Sequence, residues 1–137
     1  MSNDPPPWLG TISTFVAVKA NQEEVITMCS LLANRRRQLV ILYLLNRDPD
    51  EWISMEEIAR WVTAVRYEYS LEEAKGADYR NIRESLRHTH LRTLADAGVI
   101  KYDAQQTRVT PDARLPEVGR VFLHLLLLSS DVDGMMS

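Results

Sequence analysis

The run from Tyr79 to Tyr102, Tyr-Arg-Asn-Ile-Arg-Glu-Ser-Leu-Arg-His-Thr-His-Leu-Arg-Thr-Leu-Ala-Asp-Ala-Gly-Val-Ile-Lys-Tyr, leaves few folds open. It reads as one helix that stops at Gly98 and turns directly into a strand. Asp78 suits the N-cap, because a carboxylate can accept the unpaired N–H groups of a first turn. Gly98 suits the position just past the helix, because glycine enters the left-handed conformation without steric cost. Arg80, Arg83 and Arg87 are three and four residues apart and share one helical face. Ile82 and Leu86 point the other way, towards a core. Leu91 then falls nearly half a turn from them, with Leu94 between. Either the buried face wraps round the helix or the helix bends. The first is expected, with Leu91 and Leu94 closing the core.

The remaining chain supplies that core. Residues 1–20 carry Pro5-Pro6-Pro7-Trp8 and read as a loose tail and arm, since consecutive prolines favour an extended form. The stretch 11–20 is compatible with strand or helix. Asn21 and Glu24 resemble a capping box, followed by Val25, Met28, Cys29 and Leu32 at helical spacing. Asn34 looks like the N-cap of a helix from Arg35 to Asn46, apolar nearly all round and therefore central. Its first turn holds Arg35, Arg36 and Arg37, which the helix dipole disfavours. Nearby acids or a phosphate must compensate them, and acids are expected. After a turn at Asp48-Pro49-Asp50, Ile53 suits a short edge strand. Ser54 to Glu57 forms a capping box. It opens a helix to about Tyr69, with Trp61, Tyr67 and Tyr69 adding aromatic surface. Val99–Asp103 and Thr107–Thr110 suit a hairpin, closed by Pro111. Leu115 to Ser130 is apolar round almost its whole circumference, which predicts a partner for its outer side.

Composition narrows the function classes. With 137 residues the chain suits one compact domain. Its net charge of −3 argues against indiscriminate coating of nucleic acid, although a local basic face remains open. Cys29 is the single cysteine, which excludes an internal disulfide and fits a reducing cytoplasm. It lies in an apolar pattern and reads as inert packing. No apolar run is long enough to span a bilayer, so no membrane partner is expected. There is no glycine-rich phosphate loop, nucleophile motif or paired-carboxylate signature, so an enzyme is not expected, nor is a cofactor. His88 and His90 are two apart, which on a helix points them away from each other, so no metal site is expected.

The expected fold is therefore mainly α with a small β wing: a winged helix-turn-helix with an added C-terminal apolar dimerisation helix. The divisions expected are a tail over 1–20, a winged-helix domain over 21–114, a dimerisation helix over 115–130 and a tail over 131–137. The run His90-Leu-Arg-Thr-Leu94, then Ala97-Gly98-Val-Ile, resembles the end of the recognition helix in ArsR-type winged-helix repressors. Leu32-Ala-Asn34-Arg35-Arg36-Arg37, Ser85-Leu86-x-His88-x-His90-Leu91 and Gly98-Val-Ile-x-Tyr102-Asp103 more closely resemble an uncharacterised winged-helix family abundant in haloarchaea. Those proteins commonly carry proline after the His-Leu pair, where this chain has Arg92. The resemblance implies descent from transcription regulators and implies no reaction. The thirteen arginines against three lysines fit a GC-rich or halophilic source.

On this reading the partner is double-stranded DNA. Arg80, Asn81, Arg83, Arg87 and His88 face the groove, and arginine is the commonest reader of guanine edges. Gln105, Gln106 and Arg108, near the tip of the wing, touch the flanking backbone or the minor groove. A second copy covers the last helix through Val118, Val121, Phe122, Leu125 and Leu126, giving a homodimer. The alternative within one chain is that residues 11–20 fold over that helix. The alternative function is a winged-helix protein-interaction module that does not bind DNA, in which the arginines meet an acidic protein.

Overall fold

The computed structural model describes the backbone of residues 21–136 and the side chains of residues 21–130. The expected tail and arm over 1–20, with any contact they make to the last helix, lie outside the described residues. The chain is mainly helical with a small antiparallel sheet. The order is α1 (Gln22–Leu32), α2 (Arg35–Leu45), β1 (Ile53–Ser54), α3 (Met55–Tyr67), α4 (Ala77–Ser85), a π turn (Leu86–His90), α5 (Leu91–Asp96), β2 (Ile100–Asp103), β3 (Arg108–Pro111) and α6 (Leu115–Met136). The strands lie in the order β1-β3-β2, so β3 is central. Ile53 pairs with Val109, and Val109 with Tyr102 on its other side.

Local chemistry explains most boundaries. Asn34 caps α2, its side chain accepting from the N–H groups of Arg36 and Arg37. Ser54 caps α3 by accepting the Glu57 N–H at 3.1 Å. Asp78 does not cap its helix. The N-cap position falls on Gly76, and Asp78 Oδ2 instead accepts the Tyr69 hydroxyl at 3.0 Å. Gly98 has φ +78°. Its N–H reaches the Ala95 carbonyl, and the Val99 N–H reaches Leu94 at 3.0 Å. That is a Schellman termination, and the accompanying apolar contact pairs Leu94 with Val99, both fully buried.

The irregular apolar spacing has a third explanation beyond a wrapped face or a bend. The Leu91 N–H bonds to the carbonyl of Leu86, five residues back, where an α-helix would use four. The π turn takes up one extra residue. Leu91 therefore returns to the face of Ile82 and Leu86, and Leu94 follows it. All four are completely buried. Each such burial contributes about 1.5–3 kcal/mol relative to an exposed side chain, which offsets the weaker geometry of one π turn. The extra residue also brings His90 inside, where it is only 7 % exposed.

The core lies between α2, α3, the helix 77–96, the sheet and the first half of α6. Here the expectation for α6 is corrected. Val118 is fully buried and Phe122 is 5 % exposed within this chain's own core, so neither can serve an interface. They face α2, which α6 approaches closely at Gly119: a Cβ there would stand 2.5 Å from Leu45 Cδ2. The helix also continues to Met136, past the expected end at Ser130. Arg114, beside its start, forms ion pairs with Glu24 of α1 and with Glu117. Trp61 and Tyr67 are only partly exposed and pack against the core. Trp61 meets Tyr43 with ring centroids 5.1 Å apart.

Candidate nucleic-acid interface

The first turn of α3 holds the two elements of interest together. The Met55 N–H donates to the Thr107 carbonyl of the hairpin at 2.9 Å. The next residue, Glu56, accepts from Arg83 of α4 at 3.0 Å. The hairpin and the helix 77–96 are thus fixed to one anchor.

The outer face of that helix is cationic but not free. Arg80 and Asn81 are exposed. Arg83 is partly buried between Glu56 and Glu84, and the Glu56 hydrogen bond raises its pKa. It serves as a brace between α3 and α4 rather than as an open reader. Arg87 sits 2.9 Å and His88 3.1 Å from Glu84 Oε2. One carboxylate thus meets three of the five expected helix contacts. The Arg87 hydrogen bond is the main reason Glu84 titrates below the usual carboxylate range. These are exposed pairs and individually weak, so an incoming anion could displace them. Arg92 adds an exposed cation that the expected set omitted.

On the hairpin, Gln105 and Gln106 are exposed at the tip, their N–H groups both held by Asp103 Oδ1 at 3.1 Å. Arg108 is not at the tip. It is the first residue of β3, with its guanidinium 4.5 Å from the centroid of Trp52 and Nε 3.4 Å from Asp103.

The expected acids are not what compensates Arg36 and Arg37: among the described residues neither forms an ion pair with a carboxylate. Arg37 donates to the Ser30 carbonyl at 2.8 Å, to Leu31 at 3.1 Å and to His90 Nδ1 at 3.2 Å. The first two are carbonyls at the end of α1, whose dipole favours a cation. Arg36 donates to Ser85 Oγ at 2.6 Å. Guanidinium can only donate, so His90 Nδ1 accepts and Nε2 carries the ring hydrogen. Burial first, then the Arg37 and Arg36 charges, push His90 down to about 4. His88 and His90 thus have different surroundings and different partners. Their spacing already pointed them apart, but the burial of His90 depends on the π turn, which spacing alone could not reveal.

The outer side of α6 is apolar. Leu123, Leu125, Leu126, Leu127 and Leu128 are 42–63 % exposed. A groove of about 470 Å³ runs between α1 and α6, lined by Val25, Met28, Cys29, Leu32, Val121 and Leu125. Cys29 is therefore exposed at a groove rather than packed in the core. No helix among the described residues is long and apolar enough to cross a membrane.

A family model described as a domain of unknown function (DUF7344) matches residues 29–110, from the end of α1 to β3. No curated protein and no solved structure matches the chain.

Proposed function

The chain belongs to the DUF7344 family, a domain of unknown function, and from that premise and the geometry above we propose that it is a dimeric DNA-binding transcription regulator with a winged helix-turn-helix fold. The helix 77–96 is the recognition helix, and β2–β3 is the wing. The observation that carries the reading is the shared anchor at the start of α3, which bonds to the wing through Met55 and to the recognition helix through Glu56. A reader of duplex DNA needs its groove helix and its wing held in one fixed relation. Arg80, Asn81, Arg87, His88 and Arg92 are exposed on the helix, with Gln105 and Gln106 exposed on the wing. Arg83 sets the helix in place. Binding requires phosphates or base edges to replace Glu84 as the partner of Arg87 and His88.

The dimer rests on the leucine row of α6. Five exposed leucines in six residues, continuous with an apolar groove, exceed the scattered exposure normal for a monomer surface. A second copy covers them through Val121, Leu125 and Leu126, with Leu123, Leu127 and Leu128 added.

A second reading draws on a specific observation. Glu56 and Glu84 together neutralise much of the cationic face, and the whole chain is acidic. A protein-interaction module with the same shape would keep that balance. In vitro selection from a random duplex pool separates the two. Enrichment of a two-fold symmetric motif supports the regulator. Retention of no duplex at low salt, where phosphate contacts are strongest, supports the module.

A further inference from the structure

A cleft of about 310 Å³ opens beside the recognition helix, lined by Asn34, Arg35, Arg36, Arg66 and His90. Three guanidiniums converge on it from two helices. Among the described residues none of the three forms an ion pair with a carboxylate, in contrast to Arg83 and Arg87. The charges acting on His90 are those of Arg37 and Arg36, with no carboxylate among them. Arg36 is held in place by Ser85 and so is aimed before any ligand arrives.

The histidine supplies an independent sign. His90 is more than nine-tenths buried, and its Nδ1 is taken by Arg37. Its Nε2–H, on the other side of the ring, donates to no described residue, although His90 lines the cleft. The Nε2 atom is not among the fully buried side-chain atoms left without a partner, so water reaches it through the cleft and a ligand oxygen would take that water's place. The α2 amides do not make the site, because Asn34 Oδ1 already accepts from Arg36 and Arg37.

We propose that this cleft binds a phosphate group, with Arg35, Arg36 and Arg66 pairing its oxygens and the His90 Nε2–H donating to one of them. Guanidinium matches phosphate geometry and keeps its charge. The phosphate is either free, as an inorganic or small-molecule phosphate, or part of a DNA backbone. The site stands whether or not the recognition helix reads DNA.

The test follows the His90 ring by NMR during titration with inorganic phosphate at constant ionic strength, with chloride as control. The Arg35→Ala/Arg66→Ala double variant is titrated in parallel. Both arginines are exposed, and a thermal melt checks that the variant folds. The expected result is a saturable shift of the His90 Nε2 signal with phosphate and not with chloride. The apparent affinity falls at least about tenfold in the variant. The melting temperature rises by about 5 °C at ten times the phosphate Kd. A third arm adds random-sequence duplex. If duplex moves the same signal and phosphate competes with it, the phosphate comes from DNA. If phosphate alone moves it, the ligand is a small phosphate. An unmoved His90 signal, an equal response to chloride or full binding by the folded double variant overturns the proposal. Duplex binding lost in an Arg80→Ala/Arg87→Ala variant with the phosphate response intact separates this site from the DNA reading.

Discussion

His90 makes the stability of this fold depend on pH in a direction opposite to a salt-bridged histidine. Its folded-state pKa is about 4, against 6.5 for a free imidazole. The unfolded chain therefore binds a proton between these values while the folded chain does not. Stability is full above 6.5 and is lost as pH falls towards 4. At pH 5 the two pKa values imply a loss of about 2 kcal/mol relative to pH 7, since each pH unit in that window changes the cost of one proton by about 1.36 kcal/mol. Other groups titrate too, so the comparison is with His90→Asn, whose side-chain carbonyl can still accept from Arg37 and which carries no titrating proton. Urea unfolding of both proteins at pH 7 and pH 5 gives the difference directly. The wild type should lose about 2 kcal/mol more than the variant over that interval. Equal losses within about 0.5 kcal/mol would refute the account of His90 as a buried neutral acceptor held between Arg37 and the cleft.

Three further outcomes follow from the packing and the charges. Deleting exposed Thr89 should turn the π turn into ordinary α-helix, with Leu86 and Leu91 four apart. The deletion variant should keep its fold and unfold within about 1 kcal/mol of the wild type, whereas a collapse of cooperative unfolding would contradict the realignment of Leu91 and Leu94 by the extra residue. Leu125→Glu with Leu128→Glu should leave a folded monomer by analytical ultracentrifugation if α6 joins two copies, and a wild type that is itself monomeric would remove the dimer. Glu84→Gln releases Arg87 and His88, so duplex affinity should rise several-fold and the slope of log affinity against log salt should steepen by about 1. Unchanged duplex binding would mean that these side chains stay outside the groove.

The sequence carried the element order because local signals set it. Asn34, Ser54 and Gly98 each act within a few residues, and all three do in the structure what their chemistry requires. The hairpin was legible from β-branched runs between turn residues, and the short edge strand at Ile53 was expected from the winged shape rather than from its own residues. What failed depended on distance. Nothing near Arg83 announces Glu56, 27 residues away. Arg36 and Arg37 showed that something must compensate them, but the acceptors are Ser85, His90 and carbonyls of a preceding helix. The spacing of Leu86 and Leu91 marked an irregularity without revealing that one helical turn widens to absorb it. Val118 and Phe122 looked like interface residues because composition cannot separate the two apolar sides of α6.

The central claim is that the helix 77–96 and the wing read duplex DNA. Fluorescence anisotropy of labelled duplex tests it most directly, with random sequence compared against the DNA upstream of the chain's own gene. The titration runs across salt up to molar potassium, with wild type beside Arg80→Ala/Arg87→Ala. The account predicts binding that prefers one duplex, weakens with salt and drops at least about tenfold in the variant. Equal binding by wild type and variant, or no binding at any salt, would contradict it.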